Sequence, residues 1–224
     1  MNMETWWKER SLLPFHSPST AMIVGPTMSG KTSLIYQILK HADGMFQTPP
    51  ERIVIAYTEY QPLFEEMEKQ IDRLILHQGL PSKEQIEDWS QDVQHTVLVL
   101  DDMMMQVTKS EESLNLFCVT AHHRRVSVFM LAQNLYMPGK FARTISLNCH
   151  YVILFRNVRD SRQVLTFGSQ VFPSKLKYFK EAYGKATSIP FGYLVVDMSP
   201  GTEDKYRLRT RILPNEDTLV YLPK

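Results

Sequence analysis

Between Thr20 and Ser33 the chain reads TAMIVGPTMSGKTS, and this stretch restricts the possible folds more than any other. An apolar run, Ala21-Met22-Ile23-Val24, meets Gly25, and Gly25-Pro26-Thr27-Met28-Ser29-Gly30-Lys31-Thr32 fits G-x-x-x-x-G-K-[ST]. A polyphosphate needs several backbone N–H groups aimed at one point, and a side chain at Gly25 or Gly30 would obstruct that approach. Lys31 adds a cation for the β- and γ-phosphates, and Thr32 a hydroxyl for Mg²⁺. From Thr32 through Ser33 to Lys40 the spacing of Leu34, Ile35 and Ile38 predicts a helix whose positive N-terminal end faces the anion. A chance match in a chain this long is on the order of 1%, and the strand-before, helix-after context is present. The stretch therefore reads as a nucleotide phosphate loop.

The 224 residues suffice for one α/β domain, and 43% apolar with 22% charged residues is ordinary globular composition. No apolar run reaches the ~18–20 residues of a membrane span, and the start MNMETWWKER, with an acidic residue and no long apolar block, does not read as a secretory signal. Two cysteines, Cys118 and Cys149, offer no disulfide framework and suit a reducing compartment. Net charge is +1, yet residues 1–112 hold 9 Lys/Arg against 17 Asp/Glu and residues 113–224 hold 16 against 7. A basic end that can meet a polyanion is one reading; opposite charges meeting within the fold or between subunits is the other.

Residues 1–19 read as an arm, because Pro14 and Pro18 interrupt regular structure around Trp6, Trp7 and Phe15. Residues 20–224 read as the main domain. Arg52–Tyr57 is a strand, Gln61–His77 carries the apolar spacing of an amphipathic helix, and Ser82 with Gln85 is a capping box. Thr96–Leu100 and Val126–Ala132 are buried strands by their unbroken apolar runs, and His150–Phe155 is a fifth. Ser113–His123, Asp160–Gln170 and Ser174–Tyr183 read as helices. Tyr193–Asp197 and Tyr206–Leu213 read as a strand pair within 192–213 that extends the sheet or lines a subunit contact. Alternating strands and helices through Phe155 argue for a mainly parallel sheet with helices on both faces.

In such a sheet the C-terminal strand ends face the ligand. Leu98-Val99-Leu100 ends in Asp101-Asp102, so Asp101 is assigned to Mg²⁺ and Asp102 to the attacking water. The next strand ends in Gln133-Asn134; an amide there can bond both the γ-phosphate and the lytic water. Arg124 and Arg125 precede that strand. In an oligomer they are placed to reach a neighbour's ATP as an arginine finger, with Arg143 and Arg156 as competitors. Lys140 and Arg143, in the loop after Gln133, are candidates for contact with DNA phosphates; Arg162, Lys175 and Lys177 form a second set.

GPTMSGKT, VLVLDD and the strand ending LAQN, in that order, resemble the HerA/FtsK superfamily of ring ATPases. TEYQPLFEEM, AHHRRVSVFMLAQN and RTISLNCHYVILFRNVRDSRQ are similar to the genome-packaging ATPases of eukaryotic DNA viruses, including those of poxviruses, polintons and adintoviruses. The resemblance runs from about Pro14 to Phe172. It implies a three-layer P-loop NTPase of the additional-strand type with core strand order 5-1-4-3-2. It further implies a homo-oligomeric ring, a pentamer or hexamer, that uses ATP and Mg²⁺ to package double-stranded DNA into capsids. A capsid or portal partner, and a location inside an infected cell or the virion, come with it. Members of the viral group carry Asp-Asp, which supports Asp102, and the superfamily's trans-acting arginine lies shortly before the glutamine strand, which supports Arg124 or Arg125.

Other chemistries fit less well. Cys118, His122, His123, Cys149 and His150 lack the paired spacing of a zinc site. A nucleotide kinase needs an arginine-rich lid, and the region between the second and third strands is acidic. A GTP switch needs N-K-x-D, and the sequence has none. A non-catalytic motor subunit is separated from a working motor by turnover that double-stranded DNA stimulates.

Overall fold

A computed structural model of the chain describes Ser11 and residues 13–223. The elements, in order, are β1 (Thr20–Val24), α1 (Lys31–Lys40), β2 (Arg52–Tyr57), α2 (Pro62–Gln70), β3 (Leu74–Gln78), α3 (Lys83–Ser90) and β4 (Thr96–Asp101). They continue as α4 (Glu111–Asn115), β5 (Val126–Ala132), α5 (Ala142–Leu147), β6 (Tyr151–Phe155), α6 (Ser161–Val171), α7 (Leu176–Ala186), β7 (Tyr193–Asp197), β8 (Leu208–Thr210) and β9 (Leu219–Val220).

The strands form one sheet in the order β3-β2-β4-β5-β1-β6-β7-β8-β9. The first six are parallel. The last three add as antiparallel strands beyond β6. Counting only the five strands foreseen through Phe155, the order is 5-1-4-3-2, as expected, and the late pair does extend the sheet.

Alternation of side chains sends neighbouring residues of each strand to opposite faces, and both faces are covered. On one face Met22, Leu98, Val128, Met130 and Val152 pack with Phe117, Phe167 and Phe179. On the other, Ile23, Ile53, Val99, Phe129 and Ile153 pack with Leu34, Ile35 and Ile38 of α1 and with Phe64 and Met67 of α2. Hence the central strands read as continuous apolar runs.

Four expectations are corrected. The helix foreseen to His77 ends at Gln70, because Leu74–Gln78 pairs in parallel with Ile53–Tyr57 and closes the sheet edge. The helix foreseen over Ser113–His123 begins at Glu111 and passes through a π-helical segment, Leu116–Thr120, before Ala121–His123. A short helix, α5, occupies part of the supposed loop before β6. The last foreseen strand shrinks to Leu208–Thr210, preceded by a 3-10 turn at Asp204–Tyr206.

Trp6 and Trp7 lie outside the described residues. Phe15 is buried in the main core. Its ring sits 4.9 Å from that of Tyr151 and 5.4 Å from that of Phe129, both edge-on.

Candidate functional site

Because β1, β4 and β5 are parallel and in register, their C-terminal ends finish at one level. Val24 pairs with Ala132, and the Gly25 N–H donates to the Ala132 carbonyl at 3.1 Å. Gly25 therefore turns off beside Gln133. A Cβ at Gly25 would lie 2.6 Å from Ser29 Oγ and 2.7 Å from Phe155 Cβ, so the tight turn excludes any side chain. Gly30 caps α1 at φ +99°, a left-handed conformation natural to glycine.

One open pocket is lined by Thr27, Met28, Ser29, Gly30, Lys31, Thr32, Ser33, Asp101, Asp102 and Gln133, with Gln61, Leu63, Leu131 and Phe191. Pro26 borders the loop from the opposite side. The phosphate loop, both carboxylates and the amide thus meet in space.

Lys31 Nζ donates to the carbonyl oxygens of Gly25 at 2.8 Å and Pro26 at 3.0 Å. Burial pulls its pKa below the usual lysine value, and the carboxylates of Asp101 and Asp102 oppose that pull. Asp101 is buried, and its pKa is pushed up to about 6, first by burial and then by Asp102. Lys31 and a hydrogen bond from Gln61 Nε2 to Asp101 Oδ2 (2.9 Å) work the other way. Asp102 stands at φ +55°, and Thr58 Oγ1 donates to its carbonyl oxygen at 3.2 Å. Gln133 Nε2 donates to Asp102 Oδ1 at 3.3 Å.

A buried carboxylate beside a second carboxylate is a place where a cation relieves repulsion. The oxygen donors available, Thr32 hydroxyl and Asp101 carboxylate, are the hard ligands Mg²⁺ takes. The site fits that ion.

No family model matches the chain, and no curated protein matches it. Solved structures do. The genome packaging NTPase B204 from Sulfolobus turreted icosahedral virus 2, in complex with ATP-gammaS, superposes with TM-score 0.53 at 14% identity, covering 92% of this chain and 98% of that one. The DNA-packaging ATPase B204 from Sulfolobus Turreted Icosahedral Virus gives 0.56 at 13% identity, with 92% and 98% covered. The chain has a P-loop NTPase fold. The cytoplasmic domain of the Thermomonospora curvata Type VII secretion ATPase EccC matches at 0.54 and 12%, covering 91% of this chain and 25% of that one.

Within the P-loop NTPase fold, the other named residues fall elsewhere. Arg124 and Arg125 lie at the N-terminal end of β5, across the sheet from the phosphate loop. There Arg124 Nη2 pairs with Glu87 at 2.9 Å, and Arg125 Nη1 donates to Gln94 Oε1 at 3.0 Å. Lys140 and Arg143 are exposed, in the segment that joins the C-terminal end of β5 to the start of β6. Lys140 Nζ sits 4.9 Å from the Phe141 ring centre. Arg156, directly after β6, borders the opposite side of the phosphate loop.

Gln61, Thr58, Phe191 and Thr108 escaped the sequence reading. For Gln61 a signal existed: Pro62 at the first helical position marks Gln61 as the cap, just past the C-terminal end of β2, where the crevice lies. Thr108 clasps two loops. Its hydroxyl donates toward Met104 O (2.9 Å) and Pro138 O (2.8 Å), and its carbonyl accepts from Phe141 N–H (3.1 Å). The segment after Asp102 and the segment after Gln133 are thereby joined.

Proposed function

We propose that this chain is an ATP-hydrolysing motor that moves double-stranded DNA, used to package a viral genome into a capsid. The observation that carries the reading is the meeting of Lys31, Thr32, Asp101, Asp102 and Gln133 in one pocket of this fold. In support, the similar B204 structures are described as genome-packaging NTPases, one of them with ATP-gammaS bound.

The roles follow from chemistry. Backbone N–H groups of the loop from Gly25 to Ser33 and the N-terminus of α1 receive the phosphates. Lys31 exchanges two neutral carbonyl partners for anionic oxygens as the triphosphate enters. Thr32 and Asp101 would hold Mg²⁺, which would supply neutralisation of phosphate charge when bound. Gln61 orients Asp101. Asp102 accepts a proton from, or aligns, the attacking water, and Gln133 shares a hydrogen bond with it. Loss of the γ-phosphate changes what Asp102 and Gln133 face, and the Thr108 clasp passes the change into the loop bearing Lys140 and Arg143.

Those two cations contact backbone phosphates, so any sequence can be moved. Arg124 or Arg125 acts on a neighbour's ATP in a ring of five or six subunits. A capsid or portal protein, within an infected cell or virion, anchors the ring.

The test is the ATPase rate of the purified chain with and without duplex DNA, measured beside its native mass. Stimulation by duplex DNA with an oligomeric mass supports the motor. A monomer or dimer that phosphorylates a nucleoside monophosphate overturns it in favour of a kinase.

A further inference from the structure

The phosphate loop divides the upper end of the sheet. On the β5 and β4 side stand Gln133, Asp101 and Asp102; on the β6 side the chain leaves Phe155 for Arg156. A triphosphate whose γ end faces the carboxylates must run its α end, and the nucleoside beyond it, toward β6. A groove lies there, continuous with the phosphate pocket through Thr27, Met28, Ser29 and Phe191. Its other walls include Phe155, Arg156, Ile189 and Pro190.

Two large apolar side chains stand over this groove in solvent. Met28 is 91% exposed and Phe191 70% exposed. Both have left-handed backbones, φ +63° and +58°. Exposure and a left-handed β-carbon are each unfavourable for such residues, and strain of this kind gathers where a ligand is held. Phe191 is also firmly seated. Its turn closes with the Gly192 N–H donating to Ile189 O at 3.0 Å, and a Cβ on Gly30 would come within 3.0 Å of its ring. Finally, the groove's lining includes no carboxylate or amide side chain; its polar side chains are Thr27, Ser29, Arg156 and Ser188.

We propose that Phe191 is the stacking platform for the nucleobase, and that this subsite grips bases by their faces, so that adenine and guanine are accepted alike. This rests on the nucleotide reading above, which places the phosphates.

The test uses the full chain with Mg²⁺ and three probes: ATP, GTP and inorganic tripolyphosphate. ATP and GTP bind with affinities within about threefold of each other, and tripolyphosphate binds about tenfold more weakly, the share expected of one base–aromatic stack. Phe191→Leu, which keeps a bulky apolar residue without a ring, weakens ATP about tenfold and leaves tripolyphosphate unchanged; Phe191→Tyr retains parental ATP affinity. Parental ATP affinity in Phe191→Leu overturns the platform while leaving the phosphate loop standing. So does a Phe191→Tyr variant that loses ATP as Phe191→Leu does. A preference for ATP over GTP beyond about thirtyfold overturns grip by the face alone. If the parent binds neither ATP nor tripolyphosphate, the nucleotide reading falls and takes the platform with it.

Discussion

The two ends of the parallel sheet treat polar groups in opposite ways. At the N-terminal end of β4 and β5, His95 is buried and fully bonded. Its Nδ1–H donates to Thr48 O and its Nε2 accepts from Ser127 Oγ, each at 2.7 Å, and Ser127 Oγ accepts from the Ser19 N–H at 3.0 Å. Ser19 Oγ is the unpaired exception. At the C-terminal end, Ser29 Oγ is buried without a hydrogen bond, Asp101 is pushed up to about 6, and burial lowers the Lys31 pKa. Met28, Gly30, Asp102 and Phe191 hold left-handed backbones there, as Asp92 and Arg125 do at the N-terminal end. One end has its polar groups satisfied and serves stability. The other keeps a buried carboxylate beside a second one without an ion pair among the described residues, the condition of a surface shaped for something other than itself.

The largest break in that comparison comes from Lys31→Ala. It should abolish ATP turnover, a loss of at least about 10³-fold, while the melting temperature holds or rises because a desolvated ammonium has gone. Asp102→Asn should keep ATP affinity within a few-fold and still lose about 10²–10³ in turnover. Hydrolysis by Asp102→Asn at the parental rate would remove its role at the water. A large fall in melting temperature for Lys31→Ala would show that the upper end is structural after all.

Close behind is a test across subunits. Arg125→Ala should cost about 10³-fold if it acts as a finger, and mixing it with Lys31→Ala subunits should restore part of the activity. A mixed interface whose phosphate loop comes from the Arg125→Ala subunit and whose arginine comes from the Lys31→Ala subunit is then intact. No rescue in the mixture would leave Arg125 as what its bond to Gln94 makes it, a member of the structural end.

The upper end was legible wherever its chemistry is contiguous. Gly25 to Ser33 sit in one run, and Asp101, Asp102 and Gln133 follow strands whose apolar runs are unbroken. Sequence periodicity failed where tertiary contact decides. Leu63, Phe64, Met67, Ile71 and Leu74 continue a helical spacing, yet the chain turns after Gln70, and Leu74 opens β3 because the edge of β2 needs a partner. Gln61 reaches Asp101 across 40 positions, and Phe191, just before β7, stands beside Gly30 although more than a hundred residues separate them in the chain. No local pattern encodes either contact.

Gln61→Ala sharpens the comparison at smaller scale. Removing an orienting partner of a metal-binding carboxylate typically costs about 10–100-fold. The loss should appear as a higher Mg²⁺ concentration needed for half-maximal turnover, with ATP affinity in the absence of Mg²⁺ unchanged. Gln61→Glu should be worse than Gln61→Ala, because it sets a third carboxylate beside two. Equal Mg²⁺ dependence in Gln61→Ala and the parent would reduce Gln61 to a helix cap.

The smallest effect belongs to His95 and concerns stability alone. Burial lowers its pKa to about 4, so the folded chain holds it neutral, with Nδ1 donating to the Thr48 carbonyl. The unfolded chain takes up a proton near pH 6.5. Between those values the unfolded state binds more protons, so stability is complete above about pH 6.5 and falls as pH drops toward 4. The slope approaches 1.4 kcal/mol per pH unit, reaching roughly 3 kcal/mol. Urea unfolding of the parent and of His95→Gln over this range isolates the contribution. The variant should be about 1–2 kcal/mol weaker at pH 7, show a shallower pH slope, and bind ATP at pH 7 as the parent does. Parallel slopes would mean that carboxylates alone set the acid response. Lost ATP affinity with stability unchanged would mean that the two ends of the sheet do not divide structure from function.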